Sequence, residues 1–139
     1  MYLFEAMAEL PWLPRLAIRL VVAAALAGLV GLEREHRGRS AGFRTQMLVG
    51  LGSALAMIVG LHFARLYGQG EDGTLLRIDP TRVAYGVMTG IGFLGAGTII
   101  AQGASIRGLT TAASLWCTAA VGLAAGLGLY ELAVVATAM

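Results

Sequence analysis

The chain has 139 residues, 58% of them hydrophobic and 13% charged, with a formal charge of +2 and no lysine among its 10 basic side chains. Soluble domains carry about 25% charged residues, so there is too little polar surface to clothe a soluble core. Scattered arginines also fall short of the dense basic stripe that a nucleic-acid binder needs, and a single cysteine, Cys117, excludes an internal disulfide.

A membrane helix needs about 20 consecutive, mostly apolar residues. The first is expected near residues 12–32. Its uncharged part, 20–32, is short, and it reaches spanning length if Arg15 and Arg19 extend to the interface. Residues 45–64, 83–106 and 108–130 carry no charge and give three further spans. After Glu131 an apolar run resumes over 132–139. As a helix it would cover about 12 Å, so it reads as an interfacial tail or as the start of a fifth helix. The expected fold class is all-α: one domain over 1–139, a polytopic transmembrane bundle of four spans plus the start of a fifth. Glu5 and Glu9 stand where a signal peptide would carry basic residues, so no cleaved leader is expected.

Three connections join the spans. Residues 33–44 are compact and basic, 65–82 are longer and neutral, with Glu71, Asp72 and Asp79 balancing three arginines, and a short link surrounds Arg107. The arginine totals on the two sides are equal. The crowding of Arg34, Arg37, Arg39 and Arg44 in one short loop places that loop inside and the N-terminus outside.

Gly90-Ile91-Gly92-Phe93-Leu94-Gly95 spells the dinucleotide fingerprint, but it lies within an apolar span and lacks the strand before it and the acidic residue after it. Gly86, Gly90, Gly92, Gly95 and Gly97 therefore read as close helix packing, a spacing repeated by Gly122/Gly126, Ala24/Gly28 and Ala27/Gly31. The alternative is a helix broken over 90–97 whose free backbone groups line a pore. Asp79-Pro80-Thr81-Arg82 reads as a helix start, with Asp as cap and Pro at the first helical position. Its functional alternative makes Asp79 an oxygen ligand for a divalent cation, although one carboxylate is a thin site for Mg²⁺. Glu33/Arg37 and Glu35/Arg39 are spaced to pair on a helix that continues beyond the membrane surface. The other reading of this segment is a basic face for lipid headgroups or a partner protein. His36 and His62 are far apart in sequence and each reads as interfacial rather than as a metal ligand. Cys117, beside Trp116, reads as a small apolar residue. Thr89, Thr98, Thr110, Thr111, Ser114 and Thr118 read as hydrogen-bonding glue between helices. No acid, base or nucleophile lies at depth in these spans, so neither an enzyme nor a cofactor is expected.

Three motifs together resemble the MgtC/SapB family of bacterial membrane proteins. They are Gly31-Leu32-Glu33-Arg34-Glu35, continuing through Arg39 to Ala41-Gly42-Phe43-Arg44-Thr45; Asp79-Pro80-Thr81-Arg82-Val83 with the glycine run 90–97; and Ile106-Arg107-Gly108-Leu109-Thr110-Thr111, continuing to Cys117. The resemblance implies an inner-membrane protein of about five helices with its N-terminus outside, often followed by a small cytoplasmic domain. It makes 132–139 the start of the fifth helix. At the position of Thr110 the family can carry Asn. The resemblance also implies a link to growth under magnesium limitation and to virulence, and regulation by contact with other membrane proteins, the proton-translocating ATP synthase among them.

The reading that combines these lines is a non-enzymatic inner-membrane protein of magnesium homeostasis, acting through helix–helix contacts with another membrane protein or a second copy. The alternative is a channel or transporter for Mg²⁺ or another cation. The functional residues expected are Glu33, Arg34, Arg39, Arg44, Asp79, Arg82, Arg107, Thr110, Thr111 and Cys117 beside the glycines of 86–97.

Overall fold

The computed structural model describes residues 13–67 and 79–139. Among the described residues five helices and one hairpin follow in order: α1 (Leu13–His36), α2 (Phe43–Tyr67), α3 (Thr81–Gly97), β1 (Ile100–Gln102), β2 (Ser105–Arg107), α4 (Leu109–Leu127) and α5 (Tyr130–Ala138). Trp12, at the expected start of the first span, and residues 68–78 of the long connection, with Glu71 and Asp72, lie outside the described residues, as do Glu5 and Glu9.

Helices α1, α2 and α4 are long and apolar enough to cross a membrane. They also pack on one another, and α4 is the shared member. Half of its apolar window is buried, against 22% for α1 and 28% for α2. The chain is thus a multi-pass membrane protein whose three long helices surround an α4-centred core.

Small residues make that core. Ala23, Ala54, Val121, Ala125 and Ala133 bring α1, α2, α4 and α5 together. Between α2 and α4 the approach is too close for side chains: a Cβ on Gly122 would stand 2.9 Å from Gly50 Cα, and one on Gly126 would stand 3.0 Å from Ala54 Cα. Where lipid is as apolar as leucine, such backbone contact takes the place of a hydrophobic drive. Of the expected pairs, Gly122/Gly126 and Ala27/Gly31 are buried in this way, and a Cβ on Gly31 would stand 2.6 Å from Phe43 Cα.

Glycines also stop the helices. At the end of α1, Gly38 takes φ +62, its amide reaches Glu35 O at 3.0 Å and the next amide, of Arg39, reaches Arg34 O at 2.9 Å. Gly128 ends α4 with the same two bonds, to Ala125 O and Ala124 O. This paired closure satisfies carbonyls that an apolar surrounding would leave bare. Arg19 adds a third bond there, donating from Nη1 to Gly126 O at 2.9 Å.

The third expected span differs. Helix α3 stops at Gly97, about 25 Å long, instead of running to 106. Thr98 turns its hydroxyl onto Gly95 O at 2.8 Å, and the β-branched Ile99 and Ile100 lead into the antiparallel pairing of Ile100 with Arg107 and Gln102 with Ser105. Gly103, φ +58, supplies the tight turn. Hydropathy alone does not separate such a segment from the end of a helix. The helix is continuous through 90–97, so the broken-helix alternative for those glycines does not hold.

Candidate functional site

Three places gather the residues singled out by the sequence. The first is α3. It touches the bundle along one side, through Ile91 and Gly95, with Gly95 against Ala112, which a Cβ would meet at 3.5 Å. Gly86, Gly90, Gly92 and Gly97 have no atom within 4 Å of where a Cβ would stand. These four of the glycines read as helix packing therefore face outward from the described bundle, beside Tyr85 (76% exposed) and Phe93 (82% exposed). Gly86, Gly90, Phe93 and Gly97 follow a 4-3-4 spacing, one stripe of the helix. Between α2 and α3 run two apolar grooves that share Gly52. One, of 470 Å³, is lined by Leu48, Val87, Ile91 and Leu94; the other, of 520 Å³, by Leu55, Val59, Phe63 and Val83.

Asp79 stands at the mouth of the larger groove. Its Oδ1 accepts the Thr81 amide at 2.9 Å and the Thr81 hydroxyl at 2.6 Å. These bonds, the hydroxyl first, hold its carboxyl below the ordinary value of 3.8, helped by the Arg82 charge. The helix starts at Thr81 with Pro80 at the N-cap position, one residue later than the sequence suggests, and Asp79 holds the first helical amide from just outside it. Behind it the groove is apolar, and among the described residues no group of three or more His, Cys, Asp or Glu side chains could hold a metal ion.

The second place is a polar seam in the bundle, where α1 ends and α2 and α4 begin. Arg34, read from sequence as part of a headgroup-facing surface, is buried at 6% exposure. Its Nη2 donates to Thr111 Oγ1 at 2.6 Å and lies 3.4 Å from Ser40 O, while Nε has no partner. Ser40 Oγ and Thr111 Oγ1 are 3.0 Å apart. One turn deeper Gln46, fully buried, donates from Nε2 to Ser114 Oγ at 2.9 Å and leaves Oε1 unpartnered. Deeper again, the Thr118 hydroxyl has no partner and its methyl faces Gly50. Beyond it the seam continues as Gly122, Ala54, Gly126 and Met57, and the polar line ends. Thr111, Ser114 and Thr118 lie three and four residues apart, on one face of α4. That spacing was readable in the sequence. Gln46 and Ser40 were missed, because nothing local in the chain marks them as partners of α4.

The third place is the rim of the same end. Glu33 forms an ion pair with Arg37, as the four-residue spacing predicts. Glu35 does not pair with Arg39: α1 has already ended, and Glu35 Oε2 instead accepts the amide of Phe43, the first residue of α2, at 3.0 Å. Arg39, Arg44, Arg107 and Thr110 are exposed here, and Arg82 is exposed at the start of α3 near the opposite end. Cys117 is exposed on α4, in a groove of 670 Å³ with Leu26 and Leu29 of α1 and Val134 of α5.

Known proteins place this architecture. The family model described as "MgtC family" matches residues 20–139. The chain is 47% identical over 123 residues to a protein of Escherichia coli (strain K12) named "Putative magnesium transporter YhiD", covering 88% of this chain and 55% of that protein. It is 48% identical over 118 residues to "Protein MgtC" of Brucella abortus (85% and 45% covered). It is 40% identical over 120 residues to "Protein MgtC" of Salmonella typhimurium (86% and 47% covered). The chain spans about half the length of these curated relatives. No solved structure matches it. With most of its length matched, from the first membrane helix onward, the chain belongs to the MgtC family.

Proposed function

We propose that the protein is a non-enzymatic inner-membrane protein of magnesium homeostasis or low-magnesium adaptation, inserted with its N-terminus outside, and that it works by docking α3 against another membrane protein or a second copy of itself. The observation that carries this reading is the outward face of α3. Gly86, Gly90 and Gly97 leave backbone open to contact, with Phe93 between them and nothing among the described residues covering the stripe. Close approach at small residues is the main source of helix association in lipid. The apolar grooves beside α3 extend the surface that a partner helix would fill.

The transporter in the name of one relative keeps a second reading in view, a cation path through this chain. Two features weigh against it. The polar seam stops at Thr118, one unpartnered hydroxyl short of an apolar seam. Its entrance is held by a buried guanidinium, and a dication within about 5 Å of it would meet roughly 7 kcal/mol of repulsion at an effective dielectric near 20. A fixed arginine is a common way for a pore to turn cations away.

The test is growth at limiting magnesium of a strain lacking this protein, complemented with variants. Gly90→Leu has open space for its side chain, so it is expected to insert and fold normally yet fail to restore growth, whereas Asp79→Asn restores it. Restored growth with Gly90→Leu, or failure with Asp79→Asn alone, rejects docking through α3.

A further inference from the structure

Among the described residues, the charge on Arg34 has no ion-pair partner. A buried guanidinium that lacks an opposite charge costs several kcal/mol, and inside a membrane protein an ionisable residue of this kind marks a site. The two carboxylates nearest in sequence are engaged elsewhere, Glu33 with Arg37 and Glu35 with the Phe43 amide. Of the five guanidinium donors, the described contacts reach Thr111 Oγ1 at 2.6 Å and, more loosely, Ser40 O at 3.4 Å, and Nε is left without a partner.

The surroundings add positive potential. Thr111 lies in the first turn of α4, a 19-residue helix whose N-cap, Gly108, provides no side-chain cap. Its first backbone bond runs from the Ala112 amide to Gly108 O, so the amides of Leu109, Thr110 and Thr111 are the free donors of that terminus. Anions are favoured at such an end. Arg39, next to Ser40 in the chain, and Arg107, next to Gly108, are exposed. Ser40, exposed, carries the hydroxyl that links the buried Arg34–Thr111 pair to the surface. The turn that presents it holds Gly38 and Ala41 at positive φ, +62 and 57, and a non-glycine residue in that region is kept there by its surroundings.

We propose that the start of α4, with Arg34, Ser40 and Thr111, binds a phosphate group. The free amides of the first turn and the Ser40 hydroxyl take the phosphate oxygens, and Arg34 supplies the buried counter-charge. The phosphate has two sources with the same chemistry: the headgroup of an anionic lipid, or phosphate from the aqueous side.

Thermal unfolding of the full chain in neutral detergent, at constant ionic strength with chloride as the balancing anion, separates them. Inorganic phosphate is titrated in one arm and phosphatidylglycerol in the other, with a diacylglycerol of the same chains as the phosphate-free lipid. The wild type is expected to gain several degrees, saturably, from at least one probe and nothing from diacylglycerol. A gain from phosphatidylglycerol alone assigns a lipid headgroup, and a gain from inorganic phosphate assigns the aqueous source. Arg34→Met is expected to melt no lower than the wild type without phosphate, since it removes an unpaired buried charge, and to lose the gain. Arg82→Gln, exposed near the opposite end of the bundle, keeps it. If Arg34→Met does not fold, Thr111→Val decides, with an expected weakening of about tenfold. No gain from either probe overturns the proposal, as does a full gain in Arg34→Met or Thr111→Val.

Discussion

Gly108 shows how a motif residue earns its place. It holds φ +90, and a Cβ there would stand 2.8 Å from the Thr98 carbonyl carbon, so any side chain meets both backbone strain and backbone atoms. Gly108→Ala is expected to cost about 3 kcal/mol, read as a lower unfolding temperature in detergent. Asp79 acts through its charge. Its carboxyl is held below 3.8 in the folded chain by the Thr81 hydroxyl and amide. Its stabilising contribution is therefore complete above that ordinary value and is lost as pH falls through the lower folded one. Acidification across that window should lower the wild-type melting temperature more than that of Asp79→Asn, which has no such charge to lose; equal slopes contradict this. The helix start here was legible to within a residue because the partners of Asp79 lie two residues away. The burial of Arg34 was not. It depends on Thr111, 77 residues distant in the chain, and an arginine in a run of arginines carries no local mark of depth.

At the scale of elements, apolar length revealed the long helices, and glycine spacing marked Gly122 and Gly126 as a packing face of α4, without the α2 residues that meet it. The same signals misjudged the third span. Thr98 to Arg107 is as uncharged up to Ile106 as a helix would be, and only the β-branched pair at Ile99 and Ile100 and the turn at Gly103 hint at a hairpin. Spacing also does not tell whether a glycine meets its own chain or another. Substitution separates the two. Gly122→Val forces a side chain into Gly50 backbone and should destabilise the bundle by about 3 kcal/mol or more. Gly90→Ala enters open space and should stabilise α3 by about 0.5–1 kcal/mol through helix propensity. Thermal unfolding of both in one detergent checks the pair, and a shift of the same sign in both would contradict this placement.

For the whole molecule, the two ends of the bundle are chemically unlike. One crowds Arg34, Arg37, Arg39 and Arg44 into a single connection, with Arg107, Glu33, Glu35, the hairpin and the starts of α2 and α4; at the other, Arg15, Arg19, Arg65 and Arg82 are spread over three helices with Asp79 and Glu131, Arg19 closing α4. Between them the interior is small-residue packing with a polar seam that enters from the arginine end and stops. On the proposed reading, such a body stands in the membrane and presents the outer face of α3 to a partner. The most direct check is magnesium flux into liposomes holding the purified, correctly inserted full chain, with Asp79→Asn in parallel. The account predicts flux equal to that of protein-free liposomes for both proteins; saturable flux with the wild type, abolished in Asp79→Asn, would contradict it.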